Sequence, residues 1–216
     1  FQALAGGPDV FSQPLEESEA MQALYAQKSP PVWAFLNDIE PYLWSSAAGG
    51  RHPQSDERVQ QLFTEGDTEL IVTYQATLAA EQVEAGVWPS TTKAYLMTSQ
   101  PDGTISNTNF VAIPINAPHK AASMVVGNYL GHMESIIARF DPKGGHGWGA
   151  LPALDPASSQ AAYSGWNTAF EAVCADLAGT APTVEELATH RVGELHSSYI
   201  TQINADWAKY VHARPE

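Results

Sequence analysis

The stretch from Val59 to Leu130 constrains the fold more than any other part of the chain. A helix capped by Ser55 carries Val59, Leu62 and Phe63 on one stripe and is expected to end at Gly66. Leu70 to Val72 is almost wholly apolar, which suits a strand buried on both faces in a parallel sheet. The next helix, Thr77 to Ala85, begins a few residues after Tyr74 and stops at Gly86. Strand, short turn and helix form the α/β unit, so the expected fold class is α/β. Lys93 to Ser99 reads as another strand, Pro101-Asp102-Gly103 as a turn, and Phe110 to Ile115 as a third strand. Asn116 and Pro118 start a helix with Ala121, Met124, Val125 and Tyr129 on its apolar side, closed by Gly131. A further helix carries Met133, Ile136, Ile137 and Phe140.

The flanks are helical in pattern. "FQALAGG" resembles the middle of a helix ending at Gly6, on a chain that opens at Phe1; the expectation is a segment of a longer protein whose export signal lies elsewhere. An acidic helix follows with Leu15, Met21 and Leu24, and Ser29-Pro30-Pro31 opens a helix with proline in its first turn. The loop "SSAAGGRHPQ" is the best linker candidate, residues 141–165 are loop-rich, and Thr183 to Ala213 reads as one long amphipathic helix begun by a Thr183/Glu186 capping box.

Composition removes several functions. Of 216 residues 44% are hydrophobic, enough for a sizeable core. Twenty-four acidic against 10 basic residues give a net charge of −14, which argues against nucleic acid and anionic membrane as partners. The single cysteine, Cys174, excludes a disulfide within the chain and reads as a small buried hydrophobe in "AFEAVCADLA".

The segment "LFTEGDTELIVTYQATLAAEQVEAG" resembles the solute-binding proteins of ABC importers, where a helix, a Gly-acidic pair, a strand and a helix enter the ligand cleft. "NFVAIPINAPHKAASMVVGNYLGHMESI" is similar to the return segment of that family. "WAFLNDIEPYLW", "GTISNTNFVAIP" and "GWGALPALDP" resemble one branch, related to the thiamine, sulfate and iron binders. The resemblance covers roughly residues 30–155. It implies the type II periplasmic-binding-protein fold: two α/β lobes joined by hinge strands, with most of the first lobe outside this chain. Residues 1–108 would then form the second lobe, 109–182 the return to the first lobe, and 183–216 a C-terminal amphipathic helix. It implies a periplasmic, exported protein that holds a small polar solute between its lobes, closes by hinge motion, delivers to a membrane permease, and is monomeric when intact. A hinge-cut piece would risk dimerisation through open strand edges.

In open α/β sheets ligands bind beyond the carboxyl ends of strands. That places Tyr74, Gln75 and Thr77 at a cleft, with the amides opening the Thr77 helix suited to an anionic or polar group. Alternatively Thr77 only caps its helix and Tyr74 is core. Ser106, Asn107, Thr108 and Asn109 offer uncharged directional hydrogen bonds, or else form a hinge loop that satisfies its own backbone. Trp33 and Trp44 could stack on an aromatic or cationic ring, or pack in the core, and Trp88 follows a helix-ending glycine beside the cleft. Acidic and aromatic residues favour a thiamine-like or other small cationic or zwitterionic organic ligand, then a sugar or oxyanion.

No metal or cofactor is expected. His132 and His146 are the nearest histidine pair, HExxH is absent, and the adjacent tyrosines of the iron binders are missing. No G-x-S-x-G, P-loop or G-x-G-x-x-G occurs; "KGGHGWG" does not follow a strand, and "HSSY" falls on the C-terminal helix, so no catalytic residue is assigned. The alternatives are an α/β enzyme, a hydrolase or transferase, and a partner-binding domain. An exposed apolar row of Leu195, Tyr199 and Ile203 would favour the latter.

Overall fold

The structure is a computed structural model that describes residues 1–2, 4–7, 9–11, 13–15, 18–49, 52–98, 104–105, 110–144 and 164–212. Among them the helices are α1 (Glu19–Lys28), α2 (Pro30–Ile39), α3 (Trp44–Ala47), α4 (Asp56–Glu65), α5 (Leu78–Glu84), α6 (Lys120–Leu130), α7 (Met133–Phe140), α8 (Ser164–Leu177), α9 (Val184–Thr189) and α10 (Ser198–Trp207). Strand structure amounts to β1 (Thr104–Ile105) paired in parallel with β2 (Arg191–Val192), plus an isolated bridge from Ala178 to Ala181.

This overturns the expected α/β class and, with it, the two-lobed type II periplasmic-binding fold: the described residues are mostly helical, and the sheet among them is two strands of two residues each. The three runs expected as strands, at 70–72, 93–99 and 110–115, form no strand among their described residues. Leu70 is 79% exposed and Val72 70%. Residues 93–98 carry one backbone bond, from the Ala94 amide to the Thr180 carbonyl at 2.8 Å. Phe110 and Ile115 are 87% and 91% exposed. An apolar run becomes a strand only when neighbouring backbone takes its amides and carbonyls in a continuous ladder, and among the described residues these runs form none.

The helices follow local chemistry. The Ser55 hydroxyl accepts the Arg58 amide at 3.3 Å, and Asp56 and Glu57 fill the first turn of α4, where the helix dipole favours acids. Gly66 ends α4 at φ 81°, with the Asp67 amide returning to the Leu62 carbonyl at 2.9 Å. Thr183 and Glu186 form the reciprocal cap: the Thr183 amide donates to Glu186 Oε2 at 2.8 Å and the Glu186 amide to Thr183 Oγ1 at 3.1 Å. The long helix expected beyond it does not form. After Thr189 the chain enters β2, passes Gly193, and restarts as α10, which runs into a wider helical turn at Ala208–His212. A mid-helix glycine costs about 1 kcal/mol relative to alanine, and β1 offers Arg191 and Val192 a competing ladder.

The chain forms two compact units: Phe1–Ile71 with Met97–Asn107 and His190–Glu216, and Val72–Leu96 with Thr108–Thr189. The core of the first gathers Phe11, Tyr25, Val32, Trp33, Tyr199 and Val211. Tyr199 is wholly buried; its ring lies 5.2 Å from that of Phe11 and its hydroxyl donates to the Gln13 carbonyl at 2.8 Å. Leu195 and Ile203 pack against the same core, so the row of Leu195, Tyr199 and Ile203 is no exposed partner face. The second unit packs α7 on α8 through Met133, Ile136, Phe140, Phe170, Val173 and Leu177, with the rings of Phe140 and Phe170 edge to face at 5.5 Å. Among the described residues no helix is long and apolar enough to cross a membrane.

Candidate functional site

Two of the residues singled out in the sequence meet at the start of α5. The Thr77 hydroxyl donates to Glu81 Oε1 at 2.5 Å and Gln75 Nε2 to Glu81 Oε2 at 2.8 Å. Thr77 is 1% exposed and Glu81 is buried, so a carboxylate is held inside the second unit with both oxygens satisfied. The Thr77 side chain makes no capping bond to the α5 amides, because its hydroxyl is turned to Glu81. Tyr74 stands apart at 85% exposure and is not core. Helix α5 has seven residues.

The remaining candidates scatter. Ser106, Asn107, Thr108 and Asn109 lie outside the described residues, as does His146. Trp44 is half-buried on α3 with the Arg58 guanidinium 6.0 Å from its ring centre. Trp88 is buried. The His132 ring accepts the Glu134 amide at 3.3 Å and so caps α7. The described residues contain no cluster of three or more His, Cys, Asp or Glu placed to hold a metal. Cys174 is half-buried, and burial pushes its thiol pKa up, away from nucleophilic use.

Trp33 belongs to a different constellation, within the first unit. An open groove of about 930 Å³ runs between α1, α2 and α10, with Tyr25, Trp33, Gln202, Asp206, Lys209 and Tyr210 on its walls. Trp33 and Tyr210 stack at 6.4 Å with 26° between their planes. The Trp33 indole N–H is buried and has no hydrogen-bond partner among the described residues. The Asn37 amide bridges the two aromatic positions, donating to the Trp33 carbonyl at 2.9 Å and the Tyr210 carbonyl at 3.0 Å.

Asp206 is the acidic end of the groove. Its Oδ2 accepts the Tyr25 hydroxyl at 3.0 Å and Gln202 Nε2 at 3.1 Å, while Oδ1 receives nothing from the described residues. Burial, then the Asp206 hydrogen bond and charge, pushes the Tyr25 phenol pKa up and keeps it a donor. Lys209 is the basic end. Its Nζ donates to the Tyr210 hydroxyl at 2.9 Å and lies 4.6 Å from that ring's centre. The hydrogen bond to Tyr210 is the main cause of its raised pKa.

Sequence reasoning placed Trp33 among the candidates but missed Tyr25, Asp206 and Lys209. The polar row Gln202, Asp206 and Lys209 recurs at four and three residues, and on an amphipathic helix that pattern also describes a solvated face. The partner that makes it a groove lies 181 positions away for the Tyr25–Asp206 bond, where no local pattern reaches.

No family model matches the chain, and no solved structure matches it. It is similar to Protein YnjB of Escherichia coli (strain K12), with 31% identity over 134 residues, 62% of this chain and 32% of YnjB. The match thus spans about a third of that relative's length.

Proposed function

We propose that the chain works in solute capture, as part of the extracytoplasmic solute-binding component of an ABC importer that delivers a small polar solute to a membrane permease. The groove beside Trp33 carries this reading: it joins stacked aromatic rings, a carboxylate with an open oxygen and an ammonium group. Directional polar groups on an apolar wall are what reversible capture of a small solute requires. The ordered segments 62–86 and 109–136 support the same family reading from the sequence. The two-lobed fold lends it no support.

The experiment is mass spectrometry of small molecules released from protein purified gently from its own host. A single organic solute in near-stoichiometric amount is the expected result. Absence of any released molecule, together with no thermal shift across a panel of amino acids, amines, sugars and oxyanions, would remove the reading.

A second reading, a partner-binding domain, is favoured by one observation. From Phe110 to Leu130 no described residue is buried, and Phe110, Val111, Ile115, Met124, Val125 and Tyr129 are all exposed. The sequence carries no Asp or Glu between Gly103 and Met133, although 24 acids are spread over the chain. A solvated face of so acidic a protein would carry some of them, whereas a covered face would not.

A further inference from the structure

The first unit's groove carries two opposite charges that make no direct ion pair with one another. Asp206 and Lys209 are three residues apart at the junction of α10 with the wider turn that follows, a spacing that sets Cβ atoms roughly 5–6 Å apart on one helix face. Such a pair ordinarily closes into a salt bridge. Here it does not: the ion pairs among the described residues are Arg58 with Glu65 and Lys143 with Asp176. Lys209 is held instead over Tyr210, and Asp206 is held by the Tyr25 hydroxyl and Gln202. Both donors to Asp206 converge on Oδ2, which leaves Oδ1 as the open acceptor. A lysine ammonium has three donors and Tyr210 takes one of them.

We propose that this groove is a zwitterion site, in which Asp206 Oδ1 receives a ligand ammonium, Lys209 Nζ receives its carboxylate, and the exposed Tyr210 ring, backed by the buried Trp33, borders its side chain. A purely cationic ligand would leave Lys209 as a repelling neighbour, and a purely anionic one would meet Asp206. A molecule with both charges two or three bonds apart and N–H donors on its ammonium, an α-amino acid, satisfies each end. Charge-assisted hydrogen bonds at both ends are stronger than neutral ones and fix the ligand's direction in the groove. The assignment rests on the solute-capture reading and narrows it to a ligand class.

The test is calorimetric titration of the 216-residue chain with the standard α-amino acids. For the tightest probe, the methyl ester (ammonium only) and the N-acetyl form (carboxylate only) follow. We expect each blocked form to bind at least about tenfold more weakly than its parent, the step that one lost charge contact of about 1.4 kcal/mol produces. Asp206→Asn should weaken the parent and the ester and leave the N-acetyl form unchanged. Lys209→Gln should weaken the parent and the N-acetyl form and leave the ester unchanged. Lys209 is exposed and Asp206→Asn is isosteric; matched circular dichroism spectra would show that both variants fold. No probe binding below 1 mM (a cut-off on the order of millimolar), an ester as tight as its parent, or indifference to both substitutions would overturn the assignment. A sugar or inorganic anion released from the gently purified protein would sink the zwitterion class while leaving solute capture standing. Failure of release and of every binding assay would sink both.

Discussion

At the residue scale, Glu81 shows how much one buried carboxylate demands of its neighbours. Thr77 and Gln75 each satisfy one of its oxygens, and neither is available to another partner through that bond. Thr77→Val keeps the shape and removes the donor, so the carboxylate loses one of two charge-assisted bonds. The expected loss is about 2 kcal/mol, read as a lower urea midpoint with unchanged slope. An unchanged midpoint would mean that water replaces the hydroxyl. Tyr25 offers a test with a sign. Its phenol pKa is raised in the folded protein, first by burial and then by Asp206. The folded state therefore holds this proton more tightly than the unfolded state does. Tyr25 contributes its full stability below an ordinary phenol's pKa of about 10, and that contribution is lost as pH rises from there toward the folded value. Thermal melts between roughly pH 9 and 11 should fall more steeply for the native chain than for Tyr25→Phe. Parallel curves would show that Tyr25 is not the titrating group.

At the scale of elements, two glycines that look alike in the sequence do different work. Gly66 and Gly131 were both expected to stop a helix, and both sit at a C-cap. Gly66 has φ 81°, a conformation that a side chain disfavours, whereas Gly131 has φ −87° and is open to any residue. Gly66→Ala should destabilise by about 1–2 kcal/mol, while Gly131→Ala should be neutral or stabilise by up to about 1 kcal/mol. Equal effects in chemical denaturation would contradict the distinction. The same contrast explains what was legible beforehand. Ser55, Gly66 and the Thr183–Glu186 box could be read because a cap is completed within four residues. The apolar stripe of α7 could be read because its period places Met133, Ile136 and Phe140 together. The runs at 70–72, 93–99 and 110–115 were expected as strands, and their described residues form none, because apolar, β-branched composition states only that a segment could pair. Whether it does depends on backbone far along the chain. The groove stayed hidden for the same reason: Trp33 was visible as a tryptophan, but its setting depends on Asp206 and Tyr210.

For the whole molecule, the decisive balance is between strong acidity and one acid-free, mostly apolar stretch. The net charge of −14 keeps copies apart at neutral pH and falls to zero near the sequence pI of about 4.7. From Phe110 to Leu130 the chain meanwhile shows exposed apolar side chains and no acid to lose its charge. As pH falls, repulsion disappears while this attraction is unchanged, so association should be sharpest near the isoelectric point and run through α6. Light scattering should peak close to pH 4.7. Substituting Met124→Gln with Val126→Thr leaves the charge untouched and should cut that peak to about a third, while Tyr42→Ser, at an exposed aromatic in the other unit, should leave it unchanged. Both variants should alter folding stability by less than about 0.5 kcal/mol, since none of the three positions is buried. If the two variants scatter alike, charge loss alone drives association and the stretch from 110 to 130 holds no special affinity. If the α6 variant alone is quiet, this stretch is the sticky face of the protein, and its apolar, acid-free composition reflects a surface meant to be covered.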